Sequence, residues 1–240
     1  MTLTHAPTIT KRSLPIFPAI TKRGKPTPSL LVLCPSYRRP QQAAQTFSSF
    51  YATHTAYSSL MFVIGAKDVP DYIGLPYMGL GEMPMVERTN KAAHLLRDTF
   101  DYFGWVADDN RFETPGWDEI VINALQKTPV VFCNDVVSPG SKPSHIFMDA
   151  RIPKALGWFL HPDMRSTFFD DVWHDLGKAL GITYLDDVRI PHLYVEKDNH
   201  EDFFHDMEVY QTWQRHHMEE DIAKCRRAMR NTSTPNRASR

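Results

Sequence analysis

Gly104-Trp105-Val106-Ala107-Asp108-Asp109-Asn110 carries a short apolar strand straight into two adjacent carboxylates and an amide. A buried strand that ends in acids belongs to an α/β sheet, whose ligands gather at the carboxyl ends of its strands. Hard oxygen ligands at such a place suit Mg²⁺ or Mn²⁺, and those cations in turn bridge phosphate oxygens. The same three residues also suit a turn followed by a helix cap, because Asp and Asn side chains bond nearby backbone.

Outward from this triplet the pattern alternates. Apolar runs over residues 30–34 and 59–64 predict two more buried strands, and 130–137, 182–185 and 188–195 predict three others. Between them, residues 41–51, 87–100 and 169–180 have helical spacing. Thr114-Pro115 reads as a helix start, with Thr as N-cap, Pro in the first position and Asp118 and Glu119 in the first turn. A long amphipathic helix is expected from Asp202 to about Cys225, with Phe203, Met207, Tyr210, Trp213 and Ile222 toward the body. Strands alternating with helices predict an α/β/α sandwich with a mostly parallel central sheet.

The 240 residues suffice for one large domain with appendages. The expected layout is a basic, proline-rich arm over 1–29, a catalytic domain over 30–200, a packed helix over 201–225 and a basic flexible tail over 226–240. Five bases and no acid lie in residues 1–29, and six bases and no acid in residues 224–240, which leaves an acidic body between them. Basic ends of this kind suit a polyanionic partner, and they also suit solvated termini. No apolar run approaches the ~20 residues of a membrane span. The first 25 positions lack the apolar core of a secretory leader, so a cytoplasmic location is expected. Three dispersed cysteines argue against a disulfide framework or a structural zinc site. Neither the dinucleotide-binding glycine fingerprint nor a P-loop is present.

With these residues in view, the chain resembles nucleotide-sugar glycosyltransferases of the GT-A fold, family-2-like in style, over about residues 30–195. Leu30-Leu31-Val32-Leu33-Cys34-Pro35-Ser36-Tyr37-Arg38-Arg39-Pro40 looks like the family's opening strand and its Pro-Ser/Thr-x-x-Arg loop. Asp108-Asp109-Asn110 matches the position of the D-x-D-like motif, Phe169-Asp170-Asp171-Val172-Trp173 the later acidic pair, and Pro191-His192 the histidine that completes a metal site.

The resemblance implies a nucleotide-sugar donor, Mn²⁺ or Mg²⁺, and transfer of a sugar to an acceptor hydroxyl. Asp109 and His192 would bind the metal, and Asp108 would touch ribose or metal-bound water. Asp171, with Asp170 as the alternative, would take the acceptor's proton. Both would also serve as helix N-terminal charges. On the donor side stand Pro35, Tyr37 for base stacking, Arg38 or Arg39 for the diphosphate, Asp68 or Asp71 for the base, and Arg88. The acceptor is not named by the sequence; modified DNA, held by the basic ends, is one candidate. The alternative function is a non-catalytic polyanion- or nucleic-acid-binding protein on the same scaffold.

Overall fold

The computed structural model describes residues 28–55, 57–137, 144–193 and 200–230. The expected N-terminal arm, apart from Pro28 and Ser29, and the end of the expected tail lie outside the described residues.

Seven strands form one sheet: β1 (Leu30–Pro35), β2 (Ser58–Gly65), β3 (Tyr77–Leu80), β4 (Tyr102–Trp105), β5 (Val130–Asn134), β6 (Ile146–Asp149) and β7 (Ile182–Arg189). Their order is β3-β2-β1-β4-β6-β5-β7. All neighbouring pairs are parallel except β6, which runs antiparallel to both β4 and β5. The helices are α1 (Pro40–Thr53), α2 (Met85–Leu96), α3 (Trp117–Leu125), α4 (Arg151–Leu156), α5 (Phe169–Leu180), α6 (His200–His216) and α7 (Met218–Arg230).

The apolar runs are continuous because the sheet is buried on both faces. Alternation along β1 divides the core in two. Leu31 and Leu33 face Leu96 of α2, Ile152 of α4, Val172 and Trp173 of α5, Trp213 of α6 and Ile222 of α7. Leu30, Val32 and Cys34 face Phe50 of α1 and Val121, Ile122 and Leu125 of α3. The result is the mostly parallel α/β/α sandwich that the alternation predicts. Gly104 in β4 is required by packing: a Cβ there would lie 2.7 Å from the Phe147 ring of β6.

Several local expectations give way to tertiary contacts. β3, β6 and α4 carry no sequence expectation, because four or six residues show little periodicity; β4, equally short, is marked by the acids that follow it and lies at Tyr102–Trp105, two residues before the expected 104–107. The strand expected over 182–185 and the start of the one expected over 188–195 are one strand, β7, which ends at Arg189 and has a register irregularity at Cys133/Asn134 of its partner; residues 194 and 195 lie outside the described residues. Thr114 does not cap α3. Its hydroxyl instead accepts the backbone N–H of Arg189 (2.8 Å), and Gly116, at φ 71°, takes the N-cap position. The expected C-terminal helix is two helices, α6 and α7, and Arg226–Arg230 are helical where a flexible tail was expected. Arg226 donates to the carbonyl of Ala179 (3.0 Å) and Arg151 to that of Met229 (3.5 Å), which ties α7 to the body. Among the described residues no helix is long and apolar enough to cross a membrane.

Candidate active site

The carboxyl ends of β1, β2 and β4 meet at one edge of the sheet, because the three strands are parallel neighbours. Asp108 and Asp109 leave β4 in a turn that Asn110 closes by accepting the N–H of Ala107 on its Oδ1 (2.8 Å). The Thr46 hydroxyl of α1 braces the turn from below, donating to the Asp108 carbonyl (2.7 Å). Asp108, Asp109 and Asn110 are all buried.

Asp108 is saturated. Its carboxylate accepts from the Ser36 hydroxyl (2.6 Å) and from Nε of Arg39 (3.1 Å), and it forms an ion pair with Nη2 of Arg39. The same Nη2 lies 3.2 Å from Oδ2 of Asp109. Tyr72 shares the network through the Ser36 hydroxyl (2.5 Å), and its own hydroxyl accepts the N–H of Arg39 (3.2 Å). Arg39, expected on a diphosphate, is thus held between the two aspartates. Ser36 and Tyr72 are parts of the site that the sequence reading did not single out.

Asp109 is different. Its Oδ2 faces Arg39, while its buried Oδ1 lies 3.0 Å from Nε2 of His192. Burial alone would raise this carboxyl's pKa. The imidazole of His192 and the guanidinium of Arg39 outweigh that effect and hold it at about 2. His192 stands beyond the end of β7, not within a strand. It is positioned by an isolated bridge to Asn110, by its own N–H to the Asp135 carbonyl (3.2 Å), and by Leu193 N–H to the Asp109 carbonyl (3.0 Å). The backbone therefore brings together two residues far apart in the chain.

A carboxylate oxygen and an imidazole nitrogen converging at 3.0 Å are the donor types that two ligands of a divalent cation would supply. Among the described residues no group of three or more His, Cys, Asp or Glu could hold a metal. Two protein ligands suit Mg²⁺ or Mn²⁺ when substrate phosphates and water complete the shell.

At the end of β2, Gly65 lies at the focus of three charged groups. A Cβ built there would stand 3.1 Å from Nη1 of Arg88, 3.3 Å from Oδ2 of Asp68 and 3.4 Å from Oε1 of Glu82. Asp68 and Arg88 are buried, whereas Asp71 is exposed. Arg88 donates through Nη2 to the Met83 carbonyl (3.1 Å), and its Nε and Nη1 are buried without a partner. The structure thus assembles Asp68 and Arg88, with Glu82 as a neighbour that no sequence signal identified. Pro35 ends β1 beside this edge. Tyr37 is exposed, with the Arg38 guanidinium 4.9 Å from its ring centroid, and Arg38 itself is in the left-handed region at φ 55°.

Asp170 and Asp171 lie in the first turn of α5, both half-buried. The ring of Phe169 beside them packs 6.1 Å from Trp105 at the end of β4, so this helix N-terminus adjoins the same sheet edge.

No protein-family model and no curated protein matches the chain. Solved structures do. Residues 1–349 of TarS from S. aureus superpose with a TM-score of 0.55 at 11% identity, covering 85% of this chain and 72% of that one. A mannosyltransferase from Pyrobaculum calidifontis, in complex with GDP-Man and Mn²⁺, gives 0.58 at 11% identity, covering 85% and 74%. The catalytic domain of Drosophila β1,4-galactosyltransferase 7, in complex with xylobiose, gives 0.50 at 8% identity, covering 74% and 79%. These likenesses establish a GT-A-like fold.

Proposed function

We propose that this chain is a metal-dependent glycosyltransferase that moves a sugar from a nucleoside-diphosphate donor to an acceptor hydroxyl. The observation that carries the reading is the convergence of buried Asp109 with His192, 3.0 Å apart, at the carboxyl edge of a GT-A-like sheet. The mannosyltransferase with the same fold was solved with GDP-Man and Mn²⁺, which agrees with a nucleotide-sugar and a divalent cation.

Asp109 and His192 would hold Mn²⁺ or Mg²⁺. Bound there, the cation supplies Lewis-acid stabilisation of the departing diphosphate. Asp108, fixed by Arg39 and Ser36, faces the ribose side, and Arg39 keeps positive charge beside the leaving group. Tyr37 offers an exposed ring to the base, while Asp68 and the unpartnered nitrogens of Arg88 offer it acceptors and donors. Asp171, or its neighbour Asp170, accepts the proton of the acceptor hydroxyl as that oxygen bonds to the anomeric carbon and the bond to the diphosphate breaks.

The test is thermal stabilisation by a panel of nucleoside diphosphates, each with and without Mn²⁺. A donor site with ligand at ~1,000 times its dissociation constant stabilises the fold by about 4 kcal/mol. A shift with one nucleotide, present only with metal, is the expected result; no shift with any nucleotide refutes the reading in favour of a non-catalytic scaffold. Modified DNA is one candidate acceptor, held by the basic ends, of which Arg226, Arg227 and Arg230 of α7 are exposed. Replacing Arg227 and Arg230 by Gln should weaken salt-sensitive DNA retention, and unchanged retention removes α7 from DNA binding.

A further inference from the structure

The carboxylates of α5 stand on a helix whose entry is unusual. Phe168, immediately before it, has φ 61°, a left-handed conformation that a bulky residue adopts only when its surroundings impose it. The surroundings come from α6. Asp206, fully buried, accepts four hydrogen bonds from the chain leading into α5: the backbone N–H groups of Arg165, Ser166 and Thr167, each at 2.8 Å, and the Thr167 hydroxyl at 3.1 Å. Nδ1 of His205 also lies 3.0 Å from its Oδ1. Burial opposes ionisation, yet the donors of Ser166, His205, Thr167 and Arg165 hold this carboxyl below its ordinary value.

The same stripe of α6 continues the grip at helical spacing. One turn before, Asp202 pairs with Arg165 (3.2 Å). One turn after, Tyr210 stacks on Phe168 with centroids 5.6 Å apart and donates its hydroxyl to Asp175 of α5 (2.7 Å). Gln214 donates to the same carboxylate (2.6 Å).

We infer that Asp206 is a positioning residue for catalysis: from α6 it ties residues 165–167 down, forces the turn at Phe168, and so sets where Asp170 and Asp171 meet the acceptor. The inference rests on the transferase reading above and adds to it that the C-terminal helices are part of the catalytic apparatus. A carboxylate is required because three N–H groups and a hydroxyl point at one site. An asparagine would turn its NH₂ toward donors.

The experiment uses the full chain with Mn²⁺, the glucose, galactose, mannose and N-acetylglucosamine derivatives of the nucleoside diphosphate that the panel identifies, and water as the acceptor. It compares the parent with Asp206→Asn and with Thr167→Val, which removes one of the four bonds and spares the backbone donors. Nucleoside diphosphate release gives kcat and donor KM, and amide hydrogen exchange reports the loop. Misplacing a base by about 1 Å costs roughly 100-fold in rate. The expected result for Asp206→Asn is therefore a kcat lower by about 100-fold with donor KM unchanged, and faster exchange at residues 165–171 with the sheet amides protected as before. Thr167→Val should show the same pattern at about a tenth of that loss in kcat. An unchanged kcat in a parent-like fold, or a donor KM that moves as far as kcat, overturns the positioning role. If Asp206→Asn does not fold, Thr167→Val decides by the same two criteria. A parent that turns over no nucleotide-sugar overturns the transferase reading instead.

Discussion

Two pairs of adjacent aspartates, Asp108-Asp109 and Asp170-Asp171, are indistinguishable as dipeptides and opposite in construction. The first pair ends a strand, is buried, and sits against Arg39, Ser36 and His192 in a closed network of charge. The second opens a helix, is half-buried, and owes its place to a loop that another helix holds. The difference suits two tasks. A carboxylate whose pKa is held at about 2 stays ionised at neutral pH, as the proposed cation ligand must, and a half-exposed one at a helix entry leaves room for the proposed acceptor hydroxyl.

The sharpest way to break this comparison is to remove one member of each pair. Asp109→Ala should lower nucleoside diphosphate release by about 1,000-fold and abolish the metal-dependent thermal shift, because the carboxylate proposed to hold the cation is lost. Asp171→Asn should lower turnover by roughly 100-fold or more while leaving the thermal shift with nucleotide and Mn²⁺ intact. If both variants lose binding, or if Asp170→Asn carries the loss instead, the division of labour drawn here is wrong in that respect.

A third test probes what lies behind the first pair. His145, at the entry to β6, is fully buried with both ring nitrogens unpartnered, and burial pushes its pKa down to about 4. Asp135 opposes that shift and His192 reinforces it. The unfolded chain binds this proton at about 6.5 and the folded chain only near 4, so stability is complete above the former and declines as pH falls toward the latter. Urea midpoints measured from pH 7 to pH 4 should fall by the equivalent of about 3 kcal/mol, and His145→Phe should flatten most of that slope. A parallel slope in both proteins would assign the acid sensitivity elsewhere.

The smallest expected effect concerns the second pair's support. Tyr210→Phe deletes the bond to Asp175 but keeps the ring against Phe168, and should cost about 1 kcal/mol in denaturant titration. A loss several times larger would mean that α5 and α6 are held chiefly by that one hydroxyl.

What was legible in the sequence follows this division. Strands β1, β2, β4 and β5 and helix α5 announce themselves through continuous apolar runs or helical spacing, and the acids of the first pair stand directly after one of those runs. Arg39, Asp108, Asp109 and His192 were nameable because their chemistry is written into short local motifs, and the fold brings all four together. Ser36 entered only as a letter of the Pro-Ser/Thr-x-x-Arg loop with no role, and Tyr72 and Glu82 were given none, since a hydroxyl or a lone carboxylate in a loop shows no role until its partner is in place. Asp206 was hidden on the same ground: within an amphipathic helix an acidic residue reads as solvent-facing, and here it is fully buried.

The sequence by itself determined the layered α/β architecture, because period-specific burial of apolar side chains depends on residues only a few positions apart. It also determined the acidic end of β4, because backbone geometry alone places residues after a parallel strand at the ligand-bearing edge. Only the tertiary structure decided that β6 runs antiparallel between β4 and β5, that Thr114 serves β7 and not α3, and that Asp206 anchors the approach to Asp170 and Asp171. Those outcomes depend on hydrogen-bonding groups on different elements finding one another in a folded, water-poor interior, where an unmatched donor or acceptor costs more than any local preference supplies.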